Sequence, residues 1–300
     1  EIASNDGTLL SCFDSPKVLG IDPAENIAKE ANDRGIETIC EFFTEHLAWG
    51  LRPADLVIAN NVIGHVPDIN DFFAGLKILV KPDGIITIET PWLLPLLQQT
   101  QFDTIYHEHY NYWSLHALTL VLQQVGLAIV DLEILGVHGG SLRLFIQHVG
   151  LSSQAATNIQ VEEYVAGLWN HLDSLYTQFQ NRANNIAYDL HDWLTRGHDN
   201  GALTVGAGAP AKANTLLNYA GIDTGLLPFV TDSGPYKQGK YLPGSRIPIY
   251  APQELRDHAP DRVLILAWNW AHTVKASIEE MYQPGTEPKF YVAIPRLKEI

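Results

Sequence analysis

The chain has 300 residues, 46% hydrophobic and 18% charged; that is enough apolar side chain for about two packed domains and excludes a disordered chain. Nineteen Lys and Arg against 34 Asp and Glu leave a formal charge of −15, which argues against general binding to nucleic acid or anionic membranes, both of which need basic patches. Two cysteines, Cys12 and Cys40, are too few for a four-thiolate zinc site, and no apolar run of about 18 residues reads as a membrane span.

The opening Glu1-Ile2-Ala3-Ser4 has no basic signal-peptide segment and no initiator Met. It reads as the end of a strand, so the chain is expected to begin inside a larger, cytoplasmic protein. Val18 to Asp22 is predicted as a strand and Ala24 to Arg34 as a helix closed by Gly35. Further strands are expected over Asp55–Asn60 and Gly84–Glu89, and a closing pair over Ala128–Leu135 and Leu142–Val149. Strands spaced by helices in this way predict a parallel, doubly wound α/β sheet.

Val161, Val165, Leu168, Leu172, Leu175, Phe179, Ile186, Leu190 and Trp193 then recur at three- and four-residue steps. That is helical periodicity, in one long helix or in two broken near Asn184-Asn185. After Gly197 to Gly201 the strand–helix rhythm restarts: Ala202–Val205, a helix to Tyr219, and strands over Leu227–Thr231, Arg262–Ala267 and Lys289–Ile294. The expected organisation is a Rossmann-like domain over 1–150, a helical linker over 151–197 and a smaller Rossmann-like domain over 198–300.

Glu1 to Gly7 forms a small-residue turn between a strand and a helix, where backbone N–H groups can approach a ligand closely. Asp22-Pro23 follows at the next strand end, about 20 residues on, where an acid hydrogen-bonds ribose hydroxyls. Phe42-Phe43, after the third strand, suits the faces of an adenine ring, and Asn60 to His65 closes the fourth strand at the same edge. The loop lacks the spaced glycines of a dinucleotide site, so a nucleoside with a short tail, such as S-adenosylmethionine, fits better than NAD and argues against an oxidoreductase.

The densest polar-aromatic cluster, Tyr106-His107-Glu108-His109-Tyr110-Asn111-Tyr112-Trp113-Ser114, supplies acids, bases and hydrogen-bond donors near neutral pH. A metal site is the weaker reading, because His107 and His109 stand two apart rather than four, so no metal is assigned. His138-Gly139-Gly140-Ser141-Leu142-Arg143 reads equally as a contact to an anionic or sugar-like ligand and as a plain hairpin turn. Gly206 to Lys212, with Gly208 and then Asn214, is a strand–loop–helix phosphate cradle by type. Asp232, Lys237, Tyr241 and Arg246 crowd a long Gly/Pro-rich loop, and Lys212, Lys237 and Arg246 suit a diphosphate.

Taken together, EIASNDGTLL, GIDPAENIA, EFF, NNVIGHVPDINDF, YHEHYNYWSL, HGGSLR, GAPAKANTLLNYAGI and DSGPYKQGKYLPGSRIPI resemble the sugar C-methyltransferase family across nearly the whole chain. Members methylate a carbon of a nucleotide-linked keto-deoxysugar with S-adenosylmethionine. The resemblance implies a class I methyltransferase domain, a carboxyl-terminal nucleotide-sugar domain, and a zinc-binding domain ahead of Glu1 that this chain lacks. It implies that Glu1, Asn5, Asp6, Gly7, Asp22 and Phe43 hold the cofactor, with Ala3 where the family usually has Gly. It also implies a catalytic group of His65, Tyr106, Glu108 and His109. In that group His109 is the base, Glu108 orients an imidazole, and Tyr106 and His65 hold the keto group and its enolate. The rival readings are another carbonyl substrate, or a nucleotide-sugar-binding protein without catalysis.

Overall fold

The chain folds into two units that do not follow its linear order. One comprises Glu1–Leu94 and Glu108–Leu172, the other Pro95–His107 and Asp173–Ile300. The structure, a computed structural model, describes residues 1–15, 17–150 and 155–300, and over 155–172 the backbone alone. Residues 95–107, expected in the first domain, thus belong with the second.

In the first unit β1 (Gly20–Ile21), α1 (Glu25–Asp33), β2 (Thr38–Ile39), α2 (Glu45–Trp49), β3 (Ala54–Asn60), α3 (Ile69–Leu79) and β4 (Val80–Pro91) follow in order. Next come α4 (Leu93–Gln98), which crosses into the second unit, α5 (Leu115–Gln124), β5 (Leu127–Leu135) and β6 (Ser141–His148). The starts of α2, α3 and α5 are fixed by Thr44, Asp68 and Ser114, whose side chains accept from backbone N–H groups three residues on.

β1 pairs in parallel with β2, and β3 with β4. Ile2 joins the two pairs: it bridges to Ile21 in parallel, and its N–H donates to Ile58 O at 2.8 Å. β6 lies antiparallel between β4 and β5, so the closing hairpin inserts its second strand. The sheet expected to be parallel is therefore interrupted once, at β6. Val57, Ile86 and Ile88 of the strands, Phe72, Phe73 and Leu76 of α3, and Leu118 and Leu122 of α5 form the buried core.

α6 runs unbroken over Ala155–Asp199, through Asn184-Asn185. Of its apolar positions Ile186 and Leu190 are buried, and Phe179 and Trp193 pack against the second unit's core. The side chains of Val161, Val165, Leu168 and Leu172 lie outside the described residues, as do residues 151–154 at the start of the expected linker.

The second unit continues with β7 (Thr204–Ala207), α7 (Ala211–Tyr219), β8 (Val230–Thr231), β9 (Ile249–Tyr250), α8 (Glu254–His258), β10 (Arg262–Ile265), α9 (Ala271–Glu279), β11 (Lys289–Val292) and β12 (Lys298–Glu299). Strand order is β12-β11-β10-β7-β8-β9, parallel except for β12. Alternate residues feed two cores, Leu264 and Leu266 on one face, Val205, Val263 and Ile265 on the other, as expected of a sheet covered on both sides. Strand order reverses between β7 and β10, and the crevice at their carboxyl ends is where such sheets bind ligands. Phe102 joins the first of these cores and meets Tyr219 at 5.2 Å, while Arg182 donates to Leu97 O at 2.6 Å. Those contacts explain why 95–107 belongs to this unit. Among the described residues no helix is long and apolar enough to cross a membrane.

Candidate active site

The loop after Ile2 is built from left-handed backbone: Ala3 at φ 53°, Asn5 at 54° and Gly7 at 75°. Gly7 admits no side chain, since a Cβ there would stand 3.0 Å from Ile36 at a φ only glycine adopts freely. Asp22, 8% exposed at the end of β1, locks this loop to its own. Its Oδ2 accepts from Asn5 N at 3.0 Å and its Oδ1 from Ala24 N at 2.9 Å. Each oxygen keeps a lone pair for a ligand hydroxyl.

At neighbouring strand ends, Glu1 Oε2 and Asn61 Oδ1 are buried without a hydrogen-bond partner. Burial holds the Glu1 carboxyl above its ordinary value, and Asp6 adds to the effect. Asp6 itself accepts from Thr8 N at 3.1 Å and pairs with Arg34 at 2.7 Å, bonds that lower its carboxyl. Pro23 is exposed and Asn60 half-buried. The Phe42-Phe43 pair divides. Phe43 turns into the core, meeting Phe72 edge-on at 5.4 Å under Gly75, and only Phe42, 75% exposed, is open to a ligand.

The second group forms where residues 108–113 dock on the loop after β3. Tyr110 N and Asn111 N donate to Gly64 O, Asn111 Nδ2 to Val66 O, and Trp113 Nε1 to Ile63 O at 3.2 Å. This brings the His65 and His109 rings to 4.9 Å, with Tyr112 edge-on to His109 at 6.0 Å. His65 Nδ1 lies 2.9 Å from Glu108 O. A carbonyl oxygen only accepts, so Nδ1 carries the proton, and in the neutral ring Nε2 holds the lone pair. The main chain of Glu108, not its carboxylate, is what orients this imidazole. Tyr106 belongs with the second unit, as does the exposed His107.

His138, at φ 55°, forms the turn between β5 and β6. Arg143 faces Glu89 and Glu133 across neighbouring strands and binds both, at 2.9 and 3.1 Å. In the second unit Gly208, at φ 87°, turns the chain from β7 into α7. Asp232, at the end of β8, repeats the device of Asp22. Its Oδ2 accepts from Ala209 N at 2.7 Å and its Oδ1 from Gly234 N at 2.8 Å. Lys237 is tied to Asp232 Oδ2 and Ala209 O, both at 3.1 Å. Lys212 Nζ donates to Asn269 and lies 4.0 Å above the Trp268 ring. Asn214 Oδ1 is buried and unpaired; Tyr241 and Arg246 are exposed.

The family described as C-methyltransferase C-terminal domain matches residues 136–295, and that described as Methyltransferase domain matches residues 1–132. The C-methyltransferase NovU of Streptomyces niveus is 36% identical, covering 100% of this chain and 73% of its own length. The chain belongs to the C-methyltransferase family. Solved structures align over about half of this C-methyltransferase. An S-adenosylmethionine-dependent methyltransferase from Clostridium acetobutylicum has a TM-score of 0.40 and 12% identity, over 50% of this chain and 82% of its own. The PH0226 protein of Pyrococcus horikoshii has a TM-score of 0.38 and 18% identity, over 49% and 79%. The fold assignment here rests on the chain's own strand pairing and on its family.

The cofactor of this C-methyltransferase is S-adenosylmethionine. The first unit fits it: a left-handed loop of small residues, a buried acid with spare acceptor capacity, and unpaired buried oxygens at adjoining strand ends. Sequence reasoning missed three groups. Glu89 is the buried partner of Arg143, Asn61 stands beside Asn60 with φ 56°, and Asp103 lies fully buried in the second unit. The apolar context of Phe102-Asp103 was the one local signal of the last.

Proposed function

We propose that this C-methyltransferase moves the methyl group of S-adenosylmethionine to the α-carbon of a nucleotide-linked keto-deoxysugar by way of an enolate. The observation that carries the reading is the pair of imidazoles, His65 and His109, 4.9 Å apart at the strand edge that also carries the cofactor loop. An α-carbon becomes a nucleophile only when a base takes its proton. His109 is that base: its ring nitrogen accepts the proton as the C–H bond breaks and the electron pair moves toward the carbonyl oxygen. Tyr106 donates to that oxygen as charge develops there, and His65 does so when its Nε2 also carries a proton, since Nδ1–H is held by the Glu108 carbonyl. The Glu108 carbonyl keeps His65 in one orientation. When bound, the cofactor supplies an electrophilic methyl carbon in line with the new nucleophile.

The nucleotide diphosphate is assigned to the second unit. Lys237, bonded to Ala209 O, and Lys212, in the first turn of α7, offer charge beside the Gly206–Gly208 turn, and Arg246 adds a third charge from the loop before β9, with Asn214, Asp232 and Tyr241 as hydrogen-bonding groups. Arg143, paired with Glu89 and Glu133, and His138 are assigned to the sugar.

Solvent exchange tests the reading. With the keto-sugar in heavy water and no methyl donor, the protein is expected to wash deuterium into the α-carbon. His109→Asn is expected to slow this by roughly 10²–10⁴-fold, the range for loss of a positioned base. Exchange by the variant at the parent rate would give the role of base to His65 or to a bound water.

A further inference from the structure

The segment ahead of the reactive cluster holds a carboxylate that the proposed chemistry does not use. Asp103, in a single 3-10 turn over Phe102–Thr104, has no exposed surface. Its Oδ2 accepts from Trp268 Nε1 at 2.6 Å, while its Oδ1 is buried without a partner. Trp268 in turn presents its ring face to Lys212, whose ammonium also donates to Asn269. Trp268 thus links acid and base, and no hydrogen bond joins the two directly.

A buried carboxylate with one oxygen unpaired is a costly way to fill space; an apolar residue would serve packing alone better. What the carboxylate provides is direction, through a short charge-assisted bond that fixes one orientation. The residues on either side of it are held to α7. Phe102 packs against Tyr219 of α7, and Ile105 O accepts from Thr215 Oγ1 of the same helix at 3.4 Å. Tyr106 comes next, and at Glu108 the chain passes into the first unit, where His109 lies.

We infer that Asp103 is a positioning residue for methyl transfer: by gripping Trp268 it sets the place from which Tyr106 acts. The inference rests on the reading that Tyr106 contacts the keto group.

The test is a double-mutant cycle on the intact protein, with S-adenosylmethionine and the nucleotide-linked keto-sugar. Asp103→Asn is expected to lower kcat about tenfold or more while the Kd for S-adenosylmethionine, held by the first unit, stays unchanged. Trp268→Phe keeps a ring under Lys212 but removes the donor, and is expected to act like Asp103→Asn. If Asp103 works through Tyr106, the double variant Asp103→Asn/Tyr106→Phe is no slower than Tyr106→Phe alone. Losses that multiply in the double variant overturn the inference, since they assign Asp103 a role apart from Tyr106. With Tyr106→Phe slow, Asp103→Asn at the parent rate overturns it while leaving the reading of Tyr106 intact. Tyr106→Phe at the parent rate removes Tyr106 from the chemistry and takes the inference with it.

Discussion

Replacing Asp103 by Asn is expected to stabilise the fold at neutral pH, and the size of the gain follows from the carboxyl's setting. Burial pushes it up from 3.8 to about 6, with Lys212 and the Trp268 N–H pulling part of the way back. Below 3.8 the folded and unfolded chains both hold the proton, and the group adds nothing to the pH dependence. Between 3.8 and about 6 the unfolded chain has lost the proton while the folded chain keeps it, so stability falls as pH rises. At about 1.4 kcal/mol per unit the loss approaches 3 kcal/mol, complete once pH passes the folded value. The variant has no such proton, so its advantage over the parent should grow by that amount between about pH 4 and pH 7. Urea unfolding of both proteins across this range measures it, because the titrations of groups remote from Asp103 cancel in the difference. Lys212→Met in the parent should move the transition to higher pH, since that ammonium lowers the Asp103 value. A difference that stays flat with pH, or one that shrinks as pH rises, refutes the reasoning. A more stable but slower Asp103→Asn is the pattern of a group retained for function.

Four further outcomes follow from the first unit. Asp22→Ala breaks the bonds to Asn5 N and Ala24 N and should weaken S-adenosylmethionine binding by about 1–3 kcal/mol in calorimetry; unchanged affinity removes Asp22 from the site. Ala3→Gly relieves a left-handed residue at φ 53° and should raise stability by about 1 kcal/mol in chemical denaturation; a lower midpoint contradicts this. Phe43→Ala should cost about 3–5 kcal/mol of stability as a buried ring is lost. Phe42→Ala should leave stability within about 0.5 kcal/mol and weaken the cofactor instead; equal effects from the two changes would erase the division between core and ligand face.

The sequence was legible where one element decides its own burial. The β3 and β4 strands, the α1 helix and the long periodic helix fell where their apolar spacing placed them, with ends shifted by a few residues. Asp22 could be singled out because a strand-end acid follows a small-residue loop at a spacing set by one strand–helix–strand unit. What escaped depends on partners far along the chain. Arg143 meets Glu89 only because β6 inserts beside β4, 54 residues from its partner. Asp103 meets Trp268 across 165 residues, and the transfer of 95–107 to the second unit rests on that contact and on Phe102 and Leu97. Phe42 and Phe43 are chemically identical neighbours, and only the packing of α3 determines which one is buried. His65 and His109 were each singled out, but their pairing needed the docking of 110–113 onto Gly64 and Ile63.

The most direct test is the position of the transferred methyl group. The protein is incubated with S-adenosylmethionine carrying a ¹³C-labelled methyl and with a nucleotide-linked keto-deoxysugar, and the product is read by NMR. The account predicts the label bonded to the ring carbon beside the carbonyl, with loss of the hydrogen that carbon carried. Label on an oxygen, or no transfer by protein that binds both ligands, would contradict it.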